Sequence, residues 1–138
     1  MKKILLILCL MFGLSASAQD KQLYLSAYQL AIATVDQQTG DYEWSDWSNC
    51  NPYIKVNFEH YKGKYRIHIY SSEPQHYNLK EEVKNGVDSN GHKYSVYSAS
   101  DMVCNKCQIR LRDNGDNTMQ LYIDYADYAW VYNLKSRQ

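Results

Sequence analysis

"YIKVNFEHYKGKYRIHIY", residues 53–70, alternates apolar and polar side chains on both sides of a short polar break. With a period of two, Ile54, Val56 and Phe58 share one face of an extended chain. Tyr65, Ile67 and Ile69 share one face of the next. A two-residue loop at Lys62-Gly63 sets Phe58 against Ile67 and Val56 against Ile69, and Glu59 against Arg66 on the opposite side. A slip of one residue would oppose apolar to charged groups, so core and charge select the same register. Gly63 supplies the positive φ that such a turn needs. The segment predicts an antiparallel hairpin.

A second hairpin is predicted around "RDNGDN", residues 112–117, between Ile109-x-Leu111 and Met119-x-Leu121-x-Ile123. A bare Asn-Gly loop would put Leu111 against Thr118 and mismatch the faces. A longer loop, of three or five residues, puts Leu111 against Met119. Further strands are predicted at 23–35, 42–48, 76–82, 92–99 and 129–135. "QQTGDY" (37–42) and "NGVDSNGH" (85–92) supply turns between them. "LSAYQLAIA" (25–33) also fits a short helix, but the Tyr, Ile, Thr and Val around it favour a strand. Strands about ten residues apart, with no βαβ alternation, predict an all-β chain. The expected architecture is a single antiparallel β-barrel or barrel-like sandwich of eight or nine strands.

Two repeated meanders are a further expectation. "YNLK" occurs at Tyr77–Lys80 and at Tyr132–Lys135. The same offset of 55 brings Tyr42 onto Tyr97, Ser45-Asp46 onto Ser100-Asp101, Ile54 onto Ile109 and Tyr70 onto Tyr125.

The chain begins "MKKILLILCLMFGLSASAQD". Lys2 and Lys3, an apolar run from Ile4 to Leu14 and the small-x-small site Ala16-Ser17-Ala18 predict a signal peptide at 1–18 and a single β domain at 19–138. The apolar run is too short to span a bilayer. Bulky Leu8 before Cys9 argues against lipoprotein processing. The expected location is secreted or periplasmic. Loss of Lys2 and Lys3 from 15 basic side chains leaves 13, against 15 acidic ones. That balance and the lack of a basic stripe argue against nucleic acid as a partner. No second long apolar segment follows, so no transmembrane segment is expected in the mature chain.

"WSDWSNCNPYIKVNF", "IHIYSSEPQHYNL" and "CQIRLRDN…MQLYIDYADYAWVYNLK" resemble a group of small, uncharacterised exported β-rich proteins of Bacteroidetes bacteria. The resemblance covers about 40–138. It implies an exported bacterial β-protein and carries no activity, cofactor or catalytic residue with it.

Three cysteines follow the signal peptide: Cys50, Cys104 and Cys107. An exported chain meets an oxidising compartment. Cys50 and Cys104 fall one position apart in the two halves of the expected repeat, so Cys50–Cys104 or Cys50–Cys107 is the favoured disulfide, with free, buried thiols as the alternative. Cys104-Asn-Lys-Cys107 has the spacing of a redox motif or half a zinc site. The residues after it alternate as a strand, however, and provide no helix dipole to activate a thiol. The four histidines His60, His68, His76 and His92 are scattered, and a zinc site needs grouped ligands.

Fourteen tyrosines and three tryptophans make the chain rich in aromatic surface. Tyr42, Trp44 and Trp47 in "YEWSDWSN" are the candidate ligand-binding residues, because exposed rings stack on sugars or anchor protein partners. In an extended segment Trp44 and Trp47 point to opposite faces. Trp130 is expected in the core with Tyr132 and Leu134. Asp46, Asp101, Asp124 and Asp127 are the acidic candidates, with turn capping the simpler role for Asp46 and Asp101. His76 is expected to face solvent without a partner. The sequence therefore predicts a non-catalytic binding or interaction module, with a protein or carbohydrate partner in the cell envelope and no cofactor. The alternative is a thiol redox enzyme or metal-binding protein using Cys104 and Cys107.

Overall fold

A computed structural model describes residues 22–61 and 64–136. Nine strands and no helix occur among them: β1 (Gln22–Val35), β2 (Tyr42–Trp44), β3 (Ser48–Tyr61), β4 (Lys64–Tyr70), β5 (Gln75–Val87), β6 (Lys93–Ser100), β7 (Lys106–Asp113), β8 (Thr118–Asp124) and β9 (Tyr128–Ser136). β1 and β3 to β9 pair antiparallel in chain order. β9 then returns to β1 and closes an eight-stranded barrel. β2 stands outside the ring on the β3 side of β1, pairing Val35 with Tyr42 and Ala33 with Trp44. The expected barrel is therefore the observed one. The helical alternative for 25–33 does not form.

The first hairpin has the predicted register: Val56 faces Ile69, Phe58 faces Ile67 and Glu59 faces Arg66, which form an ion pair. Its turn at Lys62-Gly63 lies outside the described residues, as do the predicted signal peptide, 1–18, and its predicted cleavage site. The second hairpin keeps the predicted faces but shifts by two residues. Leu111 faces Leu121, and Met119 faces Asp113. A backbone bond from Asn114 N–H to Thr118 O, 3.1 Å, closes the loop. Gly115 and Asn117 both adopt positive φ inside it, which glycine and asparagine tolerate best.

Two other strand limits move. Residues 85–87 extend β5, so the turn is confined to 88–92. The strand predicted at 42–48 breaks after Trp44, because Ser45 turns back on β1. Its N–H donates to Ile32 O at 2.7 Å, and its Oγ accepts the Ile32 N–H at 2.9 Å. Aspartates open four turns in one manner. Asp36, Asp88, Asp101 and Asp113 each accept, on the carboxylate, the N–H of the residue two positions later.

A bulge between Ala27 and Gln29 lets one long strand bend around the barrel and pair with both β3 and β9. It also resets the parity. Leu25 and Ala27 point inward before it, and Leu30 packs toward the core after it. The offset of 55 maps strands onto strands but does not preserve their pairing. It would carry the pair Val56–Ile69 onto Leu111 and Asp124, whereas Asp124 faces Gln108.

Inward residues fill the barrel. Val56, Phe58, Ile67, Ile69, Leu79, Tyr97, Ile109, Leu111, Leu121, Ile123 and Leu134 form one buried cluster. Tyr132 joins it as expected, whereas Trp130, expected in the core, is only partly buried and packs at its edge. Charged side chains stand on the outward faces, among them Glu59, Arg66, Arg110 and Arg112. Among the described residues no helix is long and apolar enough to cross a membrane.

Candidate functional site on the outer wall

Strand register builds a continuous line of side chains across the outside of the barrel. Lys84 on β5 pairs with Val96 on β6, Val96 with Arg110 on β7, and Arg110 with Tyr122 on β8. Tyr122 then pairs with Val131 on β9, and Val131 with Ala31 on β1. One row along, Gly86, Tyr94, Arg112 and Gln120 form a parallel line. Paired residues share a face, so these side chains are neighbours by construction.

The two halves of the line differ in character. At the β9–β1 end Ala31, Ala33, Ala129 and Val131 are buried although they point outward. The β2 rings account for this. Trp44, paired with Ala33, reaches across this trough of small residues to Tyr122, with ring centroids 5.8 Å apart and nearly perpendicular planes. Tyr42 lies beside Trp44 at 5.9 Å, and its hydroxyl donates to Tyr125 O at 3.4 Å. Burial raises the Tyr42 hydroxyl pKa, and the nearby Asp124 carboxylate adds to the rise.

At the β5–β8 end the wall opens into a groove of about 470 Å³, lined by Lys84, Tyr94, Val96, Arg110, Arg112 and Tyr122. Its two arginines are held in place. Arg110 makes two bonds to Asp124, Nε to Oδ2 at 2.5 Å and an NH2 nitrogen to Oδ1 at 3.3 Å. The guanidinium lies 3.9 Å from the centre of the Tyr122 ring. Arg112 donates to Asp88 at 2.7 Å and to Gln120 and Asn114, and contacts His92 Nδ1 at 2.6 Å. The bond from Arg112 and the backbone N–H of His92 hold the Asp88 carboxyl down at about 2. Tyr94 lies over Gly86, where an added Cβ would come within 3.2 Å of the tyrosine hydroxyl. Glycine thus lets this ring lie against the strand. Lys84 Nζ sits 5.9 Å from the centre of the Tyr94 ring.

Of the predicted ligand-binding residues, Tyr42 and Trp44 come together on this wall. Trp47 does not join them. It lies in the Ser45–Trp47 excursion, 42 % exposed, with no ring contact among the described residues. The opposite-face expectation assumed an unbroken strand, and the break at Ser45 removes it.

Cys50, Cys104 and Cys107 are free, and neither of the expected disulfides, Cys50–Cys104 or Cys50–Cys107, joins them. Cys104 is exposed in the turn after β6, in a positive-φ conformation. Cys107 points inward from β7, and Cys50 is half-buried against the same core. Burial raises both inner thiols, Cys107 to about 11. That is opposite to the shift of an activated nucleophile. Beside them, at one end of the barrel, Tyr77 donates to Gln75 at 2.6 Å, Gln75 to Tyr132 at 3.0 Å and Tyr125 to Asp101 at 2.7 Å.

The acidic candidates separate. Asp101 caps its turn, accepting the N–H groups of Val103 and Asn105. At the matching position it is Ser45, rather than Asp46, that makes the turn contacts. Asp124 is the partner of Arg110, and Asp127 accepts the Val35 N–H through its backbone oxygen. His76 is not partnerless. Its Nε2 lies 3.1 Å from Asn78 Oδ1, and its ring meets His68 edge-on at 4.4 Å, because β4 and β5 pair these histidines directly. No group of three or more His, Cys, Asp or Glu side chains among the described residues is arranged to hold a metal.

The sequence reading missed Lys84, Tyr94, Arg110 and Tyr122. Period-two alternation marks each as outward-facing. Their adjacency, however, depends on which strands are neighbours and on the two-residue shift in the second hairpin. No family model, curated protein or solved structure matches the chain.

Proposed function

We propose that the chain is an exported, non-catalytic binding module that takes its ligand on the outer wall of the barrel, at the groove bounded by Tyr94 and Tyr122. One contrast carries this reading. Many eight-stranded barrels hold a ligand in the lumen, but here bulky side chains occupy the interior. The outer wall instead combines ring faces, anchored cations and a concavity in the size range of small-molecule sites. Anchoring matters because a cation already fixed by Asp124 or Asp88 loses little freedom when a ligand arrives. Trp44 extends the aromatic surface beyond the groove. The thiol redox alternative draws no support from Cys107, whose burial keeps it protonated.

The test is amide and methyl chemical-shift mapping of the mature chain, Gln19–Gln138, against a panel of mono- and disaccharides and short peptides. Shifts should cluster at Lys84, Tyr94, Arg110, Tyr122 and Trp44. Ligand-induced shifts confined to the interior methyls of Ile67, Ile109 and Leu121 would defeat the outer-wall reading.

A further inference from the structure

We infer that the groove selects a carboxylate-bearing sugar ring, a uronate, over its neutral counterpart. The inference rests on the outer-wall reading and adds the chemistry of the ligand.

The fold leaves donors in the groove unused. Among the described residues no carboxylate pairs with Lys84, whose Nζ lies near the Tyr94 ring. Arg110 spends Nε and one terminal nitrogen on Asp124. Its other terminal nitrogen has no partner among the described residues. Arg112, by contrast, is held by four side chains and serves as a fixed charge in the wall. Three cations therefore line the groove against two carboxylates, Asp88 and Asp124, which leaves the Lys84 charge unmatched. The groove is an anion-favouring spot on a near-neutral molecule.

Shape narrows the anion further. Tyr94 and Val96 stand together on β6 and Tyr122 on β8, with Arg110 and Arg112 of β7 between them. The Tyr94 ring with the apolar Val96 beside it suits the C–H face of a pyranose, the Tyr122 ring beneath the Arg110 guanidinium bounds the far side, and the two free donors suit a carboxylate at its edge. A phosphate is less well served, because among the described residues no helix N-terminus or glycine-rich loop adjoins the groove.

The test is isothermal titration of the mature chain with three matched ligands: a galacturonate oligomer, its methyl ester and a sugar phosphate. The ester keeps the rings and removes the charge. The acid should bind about 10-fold tighter than the ester, the contribution of one charge-assisted hydrogen bond. Lys84→Met should erase that difference while the ester's affinity stays the same. Tyr122→Ala should weaken acid and ester together, with folding checked by circular dichroism. Equal affinity for acid and ester, or a Lys84→Met variant that still discriminates, would overturn the uronate assignment and leave the outer-wall reading in place. Tighter binding of the sugar phosphate would overturn the carboxylate preference. Failure of acid and ester alike, with groove shifts still seen for another ligand, would also overturn the assignment while sparing the reading it rests on.

Discussion

Trp44 meets Tyr122 edge to face, 5.8 Å between ring centroids, although β1 and β9 stand between their strands. The contact exists because the residues beneath it are small. Ala31, Ala33 and Ala129 point outward and leave a trough that the indole can cross. Bulkier side chains there would lift Trp44 off the wall.

Trp44→Ala should therefore cost about 1–2 kcal/mol in urea unfolding. That is less than the 3–5 expected for a fully buried aromatic, since the indole is 40 % exposed. Ala33→Leu should cost a similar amount by overpacking, and it should red-shift Trp44 emission as the ring moves into water. Unchanged emission in Ala33→Leu would show that the trough does not seat the ring.

The first hairpin gives a contrast between neighbouring positions. Val56→Asp should abolish folding, because Val56 is fully buried against Ile69. Lys55→Asp, one residue away on the exposed face, should stay within about 0.5 kcal/mol of the parent. Asn57 is no such control. It points outward yet is buried, with its amide directed at the Tyr70 hydroxyl. Swapping Glu59 and Arg66 together should be milder than reversing either charge alone, by about 0.2–1 kcal/mol. Denaturant midpoints for the set would decide both points.

Acid stability should carry the signature of Asp88. Its carboxyl ordinarily titrates near 3.8 and is held at about 2 in the fold, chiefly by Arg112. The folded state thus binds this proton less readily than the unfolded chain. The resulting stability is present above pH 4 and is lost as the pH falls through 2. Asp88→Asn keeps an oxygen for the turn and removes the charge. The gap in urea midpoint between parent and variant should narrow from pH 4 to pH 2. A constant gap would mean that the Arg112 bond is not the cause.

Thiol labelling should rank the cysteines by burial. Cys104 is exposed and should react with iodoacetamide within minutes at pH 8. Cys107 is buried and held near 11, so it should label only after unfolding, with the half-buried Cys50 between them. Peptide mapping should recover three free thiols. A native Cys107 that reacts as fast as Cys104 would revive the redox alternative.

What the sequence by itself determined is local. Alternation along 53–70 set both the faces and the register of a hairpin, because apolar and charged partners agreed on one alignment. The β-propensity of Tyr, Ile, Thr and Val favoured a strand for β1, and alternation elsewhere gave the all-β class, since burying one face is a requirement that each strand carries in its own residues. The second hairpin shows where that signal weakens. Leu111 finds an apolar partner in either Met119 or Leu121, so the pattern fixes the face but leaves a two-residue choice to the loop. Tertiary structure decided the rest. The bulge in β1 turned Ala31 and Ala33 outward, and barrel closure brought β9 beside β1 and laid Trp44 against Tyr122. The row from Lys84 through Arg110 to Tyr122 arises only when β5, β6, β7 and β8 lie side by side in their actual registers. Each of those residues reads in sequence as an ordinary solvent-facing position. Lateral neighbours on a sheet come from strands far apart in the chain, and no periodicity within one strand encodes them.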